Sequence, residues 1–125
     1  MERRETILPN GIRRHDIARA DADVIRDSVL EYFGKTMAEI MIDSRKLSVL
    51  VPRHFIHYYL SVTEMSLREI GLVTLLDHAT VLRSREVVEN WIGSDKHFRA
   101  QAYAIAQLII NNNQLKQTKN ESISM

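Results

Sequence analysis

The residues best suited to recognition chemistry stand in one short run, Asp77-His78-Ala79-Thr80, with Arg83 and Ser84 one helical turn further on. A carboxylate accepts hydrogen bonds, an imidazole can donate them, and small or methyl-bearing side chains offer short apolar contacts. Asp77 and His78 do not form an acid–base pair, because adjacent residues on a helix do not face each other; no nucleophile or metal completes a catalytic site either. The same side chains do match what base edges display in a DNA major groove. Asp77 can accept from a cytosine amine, His78 can donate to a guanine acceptor, and Ala79 or the Thr80 methyl can pack on a thymine methyl. Thr80 can alternatively bond a phosphate.

Such an edge reaches a groove only if it leads a helix that another helix holds against the backbone. Ser66-Leu67-Arg68-Glu69 has the spacing of a capping box and predicts a short helix ending near Gly71-Leu72-Val73. Asp77, as an N-cap acid, predicts a longer helix from His78 to Ile92, with Gly93 as its stop. Two helices joined by about four residues make a helix-turn-helix, in which the first crosses the backbone and the start of the second enters the major groove. Ser66 and Leu67 then lie against phosphate. Arg45, Lys46, Arg53, Arg83 and Arg85 are the further candidates for backbone contact.

The remaining elements are also helical. Val24, Ile25, Val29, Tyr32 and Phe33 recur at helical spacing, so a helix runs from about Asp21 to Phe33 before Gly34. Thr36-Met37-Ala38-Glu39 is a second capping box, for a short helix ending near Asp43. Ser44 to Val51 reads as a connector, and Pro52 as the first-turn proline of a helix over Arg53 to Val62. A last helix starts near Ser94-Asp95 and frays from Asn111-Asn112-Asn113. With only four glycines, two prolines and no sustained alternation, the fold class is all-α, a compact bundle of about five to six helices. Residues 1–19 read as a flexible or loosely docked arm with five arginines; Arg3, Arg4, Arg13 and Arg14 either track a groove or solubilise it. Residues 20–113 form the folded domain and 114–125 a disordered polar tail.

Composition excludes several classes. A chain of 125 residues, 45% hydrophobic, supports one core. The absence of cysteine removes disulfides, thiolate metal sites and cysteine nucleophiles. No apolar run long enough to span a bilayer and no apolar leader are present, which predicts a cytoplasmic protein with no membrane partner. A formal charge of +1 leaves any nucleic-acid contact to a local patch. His54 and His57, one turn apart, lack a carboxylate or cysteine at ligand spacing and are read as partly exposed helix residues, with no metal or other cofactor. Tyr58, Tyr59 and Trp91 fall at helical spacing among Ile56, Leu60, Val87 and Val88, and belong to the core. Gly34-Lys35-Thr36 is not a phosphate-binding loop, since Val29 stands where that motif needs its first glycine.

Taken in order, Ser66-Leu67-Arg68-Glu69-Ile70-Gly71 and Asp77-His78-Ala79-Thr80-Val81-Leu82 closely resemble the C-terminal DNA-binding domain of the bacterial replication initiator DnaA. Ile25 to Phe33, Met37 to Met41, and Pro52-Arg53 followed by Tyr58-Tyr59-Leu60 are similar to that domain's first three helices. The resemblance covers roughly residues 20 to 95. It implies a fold of the DnaA C-terminal, Trp-repressor-like kind, no ATPase, double-stranded DNA as partner, replication proteins as further partners, and a role in replication initiation or its control. It also implies base contacts at Asp77, His78, Ala79 and Thr80. Leu76 and Val51 stand where the family carries arginines, Ala79 where it carries threonine, and the connecting loop keeps only Arg45 and Lys46 as cations. A rival reading follows from these departures: a protein-interaction module that keeps the fold, with Leu72, Leu75, Leu76, Leu50 and Val51 as its apolar face. The oligomeric state is left open.

Overall fold

The structure is a computed structural model that describes residues 4–76 and 78–123. Asp77, the expected N-cap and base reader, lies outside the described residues, as do Arg3 and the last two residues of the tail. The described residues form seven helices and no strand: α1 (Arg14–Ala18), α2 (Ala22–Phe33), α3 (Met37–Ile40), α4 (Leu47–Leu60), α5 (Leu67–Thr74), α6 (His78–Ser94) and α7 (Lys96–Ile123).

The core is built around α4. Phe55, Ile56, Tyr58, Tyr59 and Leu60 are all at most 1% exposed, so this helix is apolar on nearly every side and must be surrounded. α6 covers it with Val81 and Val88, α2 with Ile25 and Val29. α7 lays Ala102, Ile105, Ala106 and Ile109 on α2, a helical stripe whose alanines permit close approach. Burying each large side chain contributes about 1.5–3 kcal/mol. Both tyrosine hydroxyls find acceptors at the edge of this core, Tyr58 on the Ile7 carbonyl and Tyr59 on that of Ala102. Gly34 ends α2 in the left-handed conformation, φ 63°, and the amide of Lys35 closes onto the Leu30 carbonyl.

Several boundaries differ from those the sequence suggests, each for a packing reason. The expected connector before Pro52 is instead the first turn and a half of α4, because Val49 and Val51 are buried and hold the chain helical. Pro52 therefore sits inside the helix, where it forgoes only one early backbone bond. Gly93 does not stop α6; it lies within it. Of residues 1–19, expected as a flexible or loosely docked arm, residues 4–19 are docked. Thr6 is 2% exposed and bonds Ser61, Ile17 is fully buried, and Arg4 and the Ile7 amide both bond the Glu89 carboxylate. Of the tail 114–125, expected to be disordered, residues 114–123 continue α7. Asn112 donates to Ser28 and Glu31, and Lys116 pairs with Asp21 and Asp23 at 2.9 and 3.2 Å, so polar contacts to α2 extend the helix beyond its apolar stripe.

Candidate nucleic-acid interface

α5 and α6 are the two helices around which a recognition surface can form. α5 begins at the predicted capping box: Ser66 Oγ accepts from the Glu69 amide at 3.1 Å and the Glu69 carboxylate accepts from the Ser66 amide at 3.0 Å. That reciprocal bond uses the Ser66 hydroxyl only as an acceptor and holds the Glu69 carboxyl below the usual carboxylate range. The amides of Leu67 and Arg68 precede the first intrahelical donor, the Ile70 amide, and so have no acceptor within the helix. The Leu67 side chain itself packs on the core, so its contact to a backbone would be made by its main chain.

The turn after α5 is closed by Leu75, at φ 60° and ψ 32°, with the Leu75 and Leu76 amides both returning to the Gly71 carbonyl. α6 follows directly. Its exposed stripe runs Ala79, Arg83, Glu86 and Asn90, with His78 exposed at the leading end and Thr80 half-buried; Val81, Ser84, Arg85, Val88 and Ile92 face inward. The acidic Glu86 confines any anionic ligand to the first two turns. Arg45 and Lys46 are exposed at the start of α4, where the helix dipole disfavours cations, so they do not stabilise that helix.

Two of the expected backbone contacts are corrected by this geometry. Arg85 is only 4% exposed, because the register that buries Val81 and Val88 buries the position between them; it cannot meet a phosphate there. Arg53 is committed elsewhere: its Nε and Nη2 donate to the Ile40 carbonyl, and Nη2 also to that of Ile42, which satisfies the free carbonyls at the end of α3. His54 is half-buried, in line with the partly exposed residue expected, but His57 is not. His57 is fully buried, and burial first, then the charges of His54 and Arg53, pushes its pKa down to about 4. Sequence reasoning missed Arg68, exposed between the α5 amides and the turn, although its place in the capping box marks it as outward-facing. Among the described residues no group of three His, Cys, Asp or Glu side chains is arranged to hold a metal, and no helix is long and apolar enough to cross a membrane.

A short capped helix, a tight turn and a longer helix led by exposed polar residues define a helix-turn-helix module. A family model described as the bacterial DnaA protein helix-turn-helix matches residues 22–88, more than half of the chain, and the chain belongs to that family. The chromosomal replication initiator protein DnaA of Chloroflexus aggregans is 34% identical over 105 residues, covering 82% of this chain and 21% of that protein. The same figures hold for the protein of that name in Chloroflexus aurantiacus. In Desulfotalea psychrophila the protein so named is 33% identical over 90 residues, covering 70% of this chain and 19% of its own. The chain thus spans about a fifth of the length of these curated relatives. No solved structure matches it significantly.

Proposed function

We propose that this protein binds double-stranded DNA by placing the start of α6 in the major groove, with Asp77, His78, Ala79 and Thr80 reading bases. The observation that carries this reading is the exposure of His78 and Ala79 at the head of α6, flanked by exposed Arg68 and Arg83. The backbone contacts are the Leu67 and Arg68 amides at the start of α5, the Arg68 and Arg83 side chains, and Arg45 and Lys46 at the start of α4. Thr80 serves a base or a phosphate. The setting is replication initiation or its control in the cytoplasm, as a binding module rather than an enzyme, with replication proteins as further partners. With leucine at position 76 and a buried valine at position 51, its base preference is weaker than that of the full initiators, since each good base contact contributes about 1–3 kcal/mol of discrimination.

The test is fluorescence anisotropy against a duplex carrying the initiator family's recognition sequence and a scrambled duplex, across a salt series. Tighter binding to the recognition sequence supports inherited reading. Equal, salt-sensitive binding supports a backbone-dominated binder, and no binding at low salt overturns the proposal.

One observation favours a second reading, a partner-protein module. Leu72, Val73 and Leu75 are 70%, 49% and 80% exposed beside the groove between Arg68 and His78. Leu50 and Val51 do not belong to that face, being half-buried and buried.

A further inference from the structure

The most unusual feature near the interface lies beneath it. Four polar side chains from three helices meet there, half-buried His54 and buried His57 of α4, Ser84 of α6 and Thr74 of α5. His57, Ser84 and Thr74 are at most 3% exposed. His54 Nδ1 and His57 Nδ1 both lie against Ser84 Oγ, at 2.9 and 3.0 Å, and His57 Nε2 lies 3.0 Å from Thr74 Oγ1.

The protons in this cluster can be assigned from its acceptors. Thr74 has one hydroxyl proton and donates it to the Ile70 carbonyl, at 2.9 Å, so towards His57 it can only accept. His57 therefore carries its proton on Nε2. Burial keeps the ring neutral, which leaves Nδ1 bare and makes it the acceptor for the Ser84 hydroxyl. Ser84 has then spent its proton, so His54 must donate to it from Nδ1. The bonds run one way: from His54 on α4 to Ser84 on α6, back to His57 on α4, and on to Thr74 on α5 and the Ile70 carbonyl.

We propose that His57 is a positioning residue for the recognition surface: through this one-way chain it sets the orientation of α5 relative to α6, and with it the spacing between the α5 start and the reading edge of α6. Apolar packing alone tolerates sliding between helices, whereas buried hydrogen bonds fail when a partner moves by a fraction of their length. Reversing the chain requires every member to change together and forfeits the bond from Thr74 to the Ile70 carbonyl, so the direction drawn makes one more hydrogen bond than its reverse. The consequence for affinity rests on the DNA-binding reading above; the orientation itself does not.

The test begins on the unmodified protein. Long-range proton–nitrogen correlation spectra of the imidazole rings are expected to show His57 protonated on Nε2 and His54 on Nδ1; the opposite tautomer for His57, or averaging between the two, overturns the assignment. Thr74→Val removes the acceptor and Thr74→Ser keeps it. Residual dipolar couplings are expected to report a changed or less ordered angle between α5 and α6 in Thr74→Val, with Thr74→Ser behaving as the unmodified chain. Equal couplings in the two variants overturn the positioning role. Where the unmodified chain binds DNA, Thr74→Val is expected to lose about tenfold in affinity, the effect of one hydrogen bond left unmade, and Thr74→Ser to lose little. An altered helix angle with unaltered affinity overturns the link to the interface. Absence of DNA binding by the unmodified chain defeats the proposed function, while the couplings still decide the positioning role.

Discussion

Leu75 occupies left-handed backbone space, φ 60°, with its side chain 80% exposed. A non-glycine residue costs about 1–2 kcal/mol in that conformation, and an exposed leucine recovers little of it through packing. Leu75→Gly is therefore expected to raise stability by about 1 kcal/mol, read as a higher urea midpoint; a lower midpoint would mean that the leucine makes contacts worth more than the strain. His57 carries a second, pH-linked prediction. Unfolded, it titrates near 6.5; folded, burial first and neighbouring positive charge second lower it to about 4. Between those values the unfolded chain binds more protons, so the stability is full above about pH 6.5 and is lost as pH falls towards 4. The full shift corresponds to about 3 kcal/mol. Urea unfolding at pH 7.5 and at intermediate acid values checks it, and a flat profile would show that the ring is not held neutral. On the reading edge, His78→Ala and Thr80→Ala are each expected to weaken DNA binding by about tenfold, the loss of one base or phosphate contact. Anisotropy with unchanged affinity in both would remove α6 from the interface.

Among the elements, the N-terminal segment is coupled to the far half of α6. Glu89 on α6 has its side chain 6% exposed, and burial alone would raise its carboxyl pKa; the Arg4 guanidinium and the Ile7 amide outweigh burial and hold it below the usual range. Glu89→Gln keeps the shape but loses the charge, and is expected to cost about 2 kcal/mol in a urea titration and to speed amide exchange at Ile7. Stability within a few tenths of a kcal/mol of the unmodified protein would mean that the contacts of Thr6, Tyr58 and the buried Ile17 hold the segment without the Glu89 charge. The positions of α5 and α6 follow from α4, whose Ile56, Tyr58 and Tyr59 leave it no solvent-facing side in its second half. α4 can begin at Leu47 because Val49 and Val51 find the core, which places Arg45 and Lys46 at a helix start rather than along an extended loop.

Across the complete chain, a net charge of +1 means that DNA affinity depends on where the cations stand. Arg45, Lys46, Arg68 and Arg83 are exposed, whereas Arg53 and Arg85 are held within the fold. Four phosphate contacts predict a slope of about −3.6 for log affinity against log salt, and Arg45→Ala with Lys46→Ala should flatten it by about 1.8. An unchanged slope in the double variant would exclude the α4 start from the interface.

Local chemistry makes much of this protein legible in its amino-acid sequence. The capping boxes at Thr36 and Ser66, the glycine closing α2 and the ordered match from Ile25 to Leu82 depend on residues within a few positions of each other, and the chain forms those elements where their signals stand. Properties set by partners distant along the chain are decided only by the tertiary structure. The helical phase of α6 points Arg83 outward and Arg85 inward. The Ile40 carbonyl captures Arg53, Ser84 and Thr74 make His57 a buried bridge rather than a surface ring, and Glu89 anchors a segment whose own residues give no sign of docking. A polar side chain has the same local pattern whether it meets water or a buried acceptor, and only the packing of α4, α5, α6 and the N-terminal segment against one another supplies the acceptor.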